Sequence, residues 1–238
     1  QWYQKFQGNQ NITIWLPDFF CNSALLPLRK LGLKFVFYPV TDAMEPDFNF
    51  CNEKAINTKV DLFVLVHYFG RLSKSMELAR NFCLSYKALL IEDATHVLMP
   101  TLGIGDSGDF ILYSPHKHLP IPDGALLVTS SSGPSKLTDN KLAISLLNNE
   151  VQKMLALSKS SNPASFFWLL KRIAQKLGIR RRSALISFKK DPQPTELALN
   201  YSRISYLSIR LIGFLKDELS KVSELRSENK ETWSNAIA

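Results

Sequence analysis

Two short apolar runs that each stop at a polar cluster constrain this chain most. Ala88-Leu89-Leu90-Ile91 runs into Glu92-Asp93-Ala94-Thr95-His96, and Phe110-Ile111-Leu112-Tyr113 runs into Ser114-Pro115-His116-Lys117-His118. A four-residue apolar run that stops at charge reads as a strand buried in a sheet. In parallel α/β sheets, ligands gather at the carboxyl ends of such strands. The two runs therefore place a carboxylate and an amine at one mouth.

The rest of the first half agrees with that reading. Ile12 to Leu16 is β-branched and aromatic and ends at Pro17, which predicts a strand. Asp18 predicts a helix cap for about Phe19 to Leu31, with Gly32 as its stop. Leu33 to Val40 and Val60 to Val66 predict two more strands, and Ser73 to Tyr86 the crossover helix that returns to the Ala88 strand. Strands alternating with helices predict an α/β fold with a mixed, mostly parallel sheet flanked by helices. Gln1 to Gln10 offers no cap and no clear beginning of an element.

The carboxylate and amine suit one kind of chemistry. A lysine condenses with an aldehyde, and a buried carboxylate can keep a pyridinium nitrogen protonated so that the ring withdraws electrons. On this reading the cofactor is pyridoxal 5'-phosphate, with Lys117 as the Schiff-base lysine, Asp93 as the pyridinium partner and His96 near the ring's phenolic oxygen. The residues alone allow a plainer account, in which Asp93 caps the next helix and Lys117 is a solvated loop lysine.

Four fragments in order carry a resemblance. Glu92-Asp93-Ala94-Thr95-His96, Gly105-Asp106-Ser107-Gly108-Asp109-Phe110, Lys117-His118-Leu119 and Asp123-Gly124-Ala125 with Val128-Thr129 resemble the core of the DegT-type (DegT/DnrJ/StrS) sugar aminotransferases. A second block, Leu16-Pro17-Asp18-Phe19-Phe20-Cys21 through Leu31-Gly32-Leu33-Lys34-Phe35-Val36-Phe37, is similar to that family's opening strand and helix. Together with His67-Tyr68-Phe69-Gly70-Arg71 and Tyr201-Ser202-Arg203 to Asn229, the resemblance spans about Ile12 to Asn229.

The resemblance implies a three-layer, fold type I pyridoxal-phosphate large domain, working as a homodimer. It implies transfer of an amino group from an amino acid, glutamate by expectation, to a nucleotide-linked keto-sugar in surface polysaccharide (lipopolysaccharide) biosynthesis. Lys117 argues against the dehydratase members, which carry histidine there. The family's cofactor-stacking aromatic aligns with Cys21, and Phe20 is the neighbouring substitute; Phe19 and Phe20 read equally well as core residues. The usual phosphate serine aligns with Leu112, so Ser114 is the expected phosphate ligand, with His116 beside the cofactor, since Ser-Pro-His-Lys resembles a Ser-x-His-Lys element of other fold type I enzymes. Tyr201 takes the place of an asparagine that approaches the partner's cofactor phosphate, and Arg203 is kept as a candidate substrate residue or a helix-surface ion-pair former. His67 ends a strand and reads more readily as a satisfied structural histidine than as a catalytic one.

The net charge of +8 is uneven. Ten basic residues and no acidic one lie between Val151 and Lys190, leaving −2 on the remainder. Basicity confined to one segment argues against a nucleic-acid binder. Lys141 to Ser158 has helical apolar spacing, and Phe166 to Phe188, where apolar groups alternate with the basic cluster, has three open readings: a solvated helix face, a surface resting on anionic lipid, or a lid over a nucleotide-sugar diphosphate. The expected organisation is a cofactor-binding core at 1–135, a basic helical insert at 136–195 and a long helix or two at 196–238.

No membrane span or leader is read from the sequence. Three scattered cysteines, Cys21, Cys51 and Cys83, fit neither a disulfide framework nor a metal site, so a reducing cytoplasm is expected. Relative to the family, an N-terminal portion and a small C-terminal domain are expected to be missing. A non-catalytic or truncated relative, or an anionic-surface binder acting through 151–190, are the alternatives in function.

Overall fold

The computed structural model describes residues 2–8, 11–98, 101–157, 162–178 and 203–237. Six strands form one sheet: β1 (Thr13–Pro17), β2 (Lys34–Tyr38), β3 (Leu62–Val66), β4 (Leu89–Asp93), β5 (Phe110–Tyr113) and β6 (Leu126–Thr129), in the order β2-β1-β3-β4-β5-β6. All neighbours are parallel except β5 and β6. This is the mostly parallel mixed sheet that the alternation predicted.

Period-two alternation divides each strand between two cores. Trp15, Phe63, Leu65 and Leu90 face α3 (Phe48–Ala55) and α4 (Met76–Tyr86), through Cys51, Ala79 and Phe82. Ile14, Leu16, Val64 and Val66 face α2 (Asn22–Lys30) through Leu25. Farther along the same face, Leu89 and Phe110 meet α1 (Trp2–Gln7) and α5 (Lys141–Leu157). The result is three layers, with the ends of the parallel strands opening along one edge.

Two elements differ from expectation: α1, and α2, which starts at Asn22 after Cys21 while Asp18 accepts instead from Val40 N–H. α1 forms in a stretch with no capping signal because its aromatic residues are buried: Trp2 stands edge-on to Phe110 at 5.7 Å and its indole Nε1 donates to Ala143 O at 3.0 Å. Tertiary packing outweighs a weak local propensity there. That same bond, and the Lys5–Glu150 ion pair at 2.5 Å, dock α5 onto the sheet, so one core cluster crosses the boundary expected at residue 135. The C-terminal stretch is two helices, α7 (Tyr206–Leu215) and α8 (Leu219–Ile237), joined by a short 3-10 turn. Between them and α5 lies α6 (Asn162–Lys176).

Candidate active site at the carboxyl ends of β4 and β5

Register brings the two polar clusters together. β4 and β5 are adjacent and parallel, with Asp93 paired to Leu112, so the residues after Asp93 and after Tyr113 leave the sheet side by side. Asp93 is buried, and its Oδ1 accepts a hydrogen bond from Thr95 N–H at 3.0 Å, a turn that an aspartate makes with the backbone two residues on. Lys117 leaves a short 3-10 turn after β5 and donates from Nζ to Thr95 Oγ1 at 3.0 Å. Thr95 thus links the expected carboxylate to the expected amine. Sequence reading gave Thr95 no role; the signal was its place two residues after a strand-terminal aspartate.

His96 joins the same group. Its Nδ1 accepts from Phe69 N–H at 3.3 Å, and its ring lies parallel to that of Phe69 with centroids 6.3 Å apart. Burial and the nearby Lys117 ammonium push its pKa below 6.5, against an opposing pull from Asp93. The shift favours the neutral form of the imidazole. Gly70 permits this approach: a Cβ built there would lie 2.5 Å from His96 O, and its φ is +76°.

Ser114 is buried at the end of β5, and its Oγ lies 3.0 Å from His116 Nδ1. His116 Nδ1 also donates to Gly124 O at 2.9 Å, so the serine oxygen accepts from the same N–H and keeps its own hydroxyl proton to give. His116 is exposed and braced against the Asp123-Gly124 turn. Asp123 in turn accepts from Ser205 N–H at 3.0 Å and Ser208 Oγ at 2.7 Å, which fixes the start of α7 beside the site.

The aromatic positions at β1 divide. Phe20 packs partly buried against the Ile14, Leu16 and Tyr68 cluster, while Phe19 stands exposed with its ring 5.7 Å from that of Tyr68. Cys21 is exposed and precedes α2 as its N-cap residue. Arg203 directs Nε to Leu155 O at 2.9 Å, at the end of α5. Tyr201 lies outside the described residues, as do Arg180, Arg181, Arg182, Lys189 and Lys190 of the basic segment.

Two further groups hold the mouth rigid. Glu92 is fully buried and accepts from His67 Nε2 at 3.0 Å and from the N–H groups of Gly105, Ser107 and Gly108 at 2.7, 3.0 and 2.5 Å. These four bonds outweigh its burial and hold its pKa below 4.5. His67 Nδ1 accepts from Ser73 N–H at 3.3 Å, so Nε2 carries the proton, and the ring is a structural strut with no exposed surface. His118 is the second: Nε2 donates to Thr95 O at 3.2 Å and Nδ1 accepts from Arg226 of α8 at 3.1 Å. The structural reading of His67 agrees with these bonds, whereas the anchoring parts of Glu92 and His118 were not read from the sequence, because neither a buried strand glutamate nor a contact across about a hundred residues has a local signature.

This donor set fits pyridoxal phosphate. A nearly buried carboxylate suits a protonated ring nitrogen, an amine on the neighbouring strand end suits an aldehyde, and a buried hydroxyl with a proton to give suits a phosphate oxygen. No cluster of three metal-ligating side chains occurs among the described residues.

No protein-family model and no curated protein matches the chain. Solved structures with a partial likeness include a DegT DnrJ EryC1 StrS aminotransferase from Brucella abortus, 17% identical with a TM-score of 0.46, covering 61% of this chain and 40% of that one. The aminotransferase TlmJ from Streptoalloteichus hindustanus is 19% identical with a TM-score of 0.44, covering 57% and 38%. Helicobacter pylori PseC, an aminotransferase involved in the biosynthesis of pseudoaminic acid, is 19% identical with a TM-score of 0.45, covering 57% and 35%. The chain thus spans two-fifths or less of the length of these three structures.

Proposed function

We propose that this chain is the cofactor-holding part of a DegT-type, pyridoxal-phosphate-dependent sugar aminotransferase. The observation that carries the reading is the Asp93–Thr95–Lys117 arrangement, which delivers a carboxylate and an amine from adjacent parallel strands to one mouth. The ordered motif fragments around those residues support it. When bound, the cofactor supplies an electron-withdrawing ring that acidifies the carbon bearing the transferred amino group.

The chain's own residues have distinct parts in this scheme. Asp93 holds a proton on the ring nitrogen through its carboxylate. Lys117 Nζ anchors the cofactor's aldehyde carbon and, once freed by the amino donor, takes the proton from the substrate carbon as general base and returns it as general acid. Neutral His96 orients by hydrogen bonding without adding a second positive charge beside Lys117. Ser114 donates its hydroxyl proton to a phosphate oxygen. Phe19, exposed at the β1 end, or Phe20 and Cys21 beside it, form the wall on that side, and His116 braces the opposite turn. Arg203, which precedes α7, and Tyr201 are the candidate substrate or cross-subunit residues.

The substrates in this proposal are an amino acid donor such as glutamate and a nucleotide-linked keto-sugar of a surface-polysaccharide pathway, acted on by a cytoplasmic homodimer. The test is sugar-dependent release of 2-oxoglutarate from glutamate by the purified chain with added pyridoxal phosphate, over a panel of nucleotide keto-sugars. Release that Lys117→Ala abolishes supports the reading. Release equal in the variant contradicts it.

A further inference from the structure

Helix α6 carries a surface that the transaminase reading does not use. At about 100° per residue, Phe166, Phe167, Leu169, Leu170 and Ile173, with Leu177 in the turn that continues the helix, fall in one sector roughly 160° wide. Each of these six is more than two-fifths exposed, with Phe167 at 69% and Leu177 at 72%. Six large apolar groups side by side in water are costly to leave uncovered. Lys171 borders the sector beside Phe167, and Lys176 borders it beside Leu169, while Arg172 is turned back over the Trp168 ring at 5.2 Å. No acidic residue lies anywhere from Val151 to Lys190.

We propose that α6 docks in the plane of an anionic lipid surface. An apolar sector flanked on both edges by lysines matches the depth profile of such an interface, with acyl chains below and phosphate headgroups at the level of the ammonium groups. The charge sets the choice of occupant. A second copy of the helix laid face to face would bring like-charged lysine edges together with no carboxylate to meet them, whereas anionic headgroups neutralise both edges. The geometry also fixes the mode. Fifteen residues make a helix of about 22 Å, short of the ~30 Å hydrocarbon core, and no described helix is long and apolar enough to cross a membrane. The helix therefore lies along the surface. This inference is independent of the proposed enzymatic activity.

The test is co-sedimentation of the full chain with vesicles of phosphatidylcholine alone and of phosphatidylcholine mixed with phosphatidylglycerol, alongside sedimentation velocity without lipid. Binding to the mixed vesicles only, weakening as salt rises from about 0.1 to about 1 M, is the expected result. Phe167→Ser with Leu170→Ser should weaken partitioning at least a hundredfold, and Lys171→Gln with Lys176→Gln roughly twenty- to thirtyfold. Far-UV circular dichroism checks that each variant folds. Should the serine pair fail, the glutamine pair, on exposed edges, decides alone. Equal binding to both vesicle types, no binding to either, or lipid-free self-association that the serine or glutamine pair abolishes would overturn the proposal.

Discussion

Lys117 Nζ donates a hydrogen bond to Thr95 Oγ1 at 3.0 Å, and this contact ties the turn after β5 to the loop after β4. The bond is solvent-facing on the lysine side, so its part in stability is small. Its part in placing the amine is larger, since an unconstrained lysine loses about 1 kcal/mol of rotamer freedom when immobilised. Thr95→Val should cost about 0.5 kcal/mol in urea unfolding and weaken binding of added pyridoxal phosphate up to about tenfold. Thr95→Ser should retain both. A cost above about 2 kcal/mol would make Thr95 a structural residue instead.

Glu92 accepts four hydrogen bonds with no exposed surface, so Glu92→Gln offers one acceptor oxygen and an unwanted amide N–H among donors. The expected loss is about 3 kcal/mol. The folded state holds this carboxyl below 4.5, so it binds the proton less readily than the unfolded chain does. Its stabilising effect is therefore complete above pH 4.5 and lost as the pH falls below that value. Urea midpoints measured from pH 7 down to pH 3 should show an acid-side fall that is flatter in Glu92→Gln. An equally steep fall in the variant would assign it to other groups.

His118 is held neutral chiefly by burial, with the Arg226 guanidinium, His96 and Lys117 adding to the effect against the Thr95 carbonyl. Its pKa lies below 6.5, so its stabilising effect is present above pH 6.5 and is lost as the pH falls through the depressed value. Arg226→Met removes the α8 charge that lies against His118. Nuclear magnetic resonance should then show the His118 imidazole titrating closer to 6.5 than in the wild type. An unchanged titration would show that α8 does not couple electrostatically to the mouth of the site.

Trp2 joins α1, β5 and α5 through its ring and its indole N–H. Trp2→Ala should cost about 3–4 kcal/mol, and Trp2→Phe about 1–2 kcal/mol, chiefly the bond to Ala143 O. Near-wild-type stability of Trp2→Ala in urea would show that α5 is not part of the same cooperative unit as the sheet.

Strands and the crossover helix were legible because their signals are local. Ala88 to Ile91 and Phe110 to Tyr113 are bounded apolar runs, and the strands Leu89–Asp93 and Phe110–Tyr113 differ from them by two residues at most. That the residues after Asp93 and after Tyr113 leave the sheet side by side was legible for a topological reason: polar residues after adjacent parallel strands must leave the same edge. The partner of each group was not. Thr95 serves Asp93 through its backbone and Lys117 through its side chain, and only the register of β4 against β5 puts it in reach of both. His118 depends on α8, more than a hundred residues on, and α1 on a tryptophan whose burial no window of ten residues predicts.

Every role proposed for the site depends on Lys117 as the cofactor lysine. The most direct measurement treats the chain with one equivalent of pyridoxal phosphate, reduces it with borohydride and maps the fixed pyridoxyl mass by peptide mass spectrometry, beside Lys117→Ala. The expected result is an absorbance band near the visible edge before reduction, one label per chain on the Lys117 peptide, and neither in the variant. Label spread over other surface lysines, to the same extent in wild type and Lys117→Ala, would contradict it.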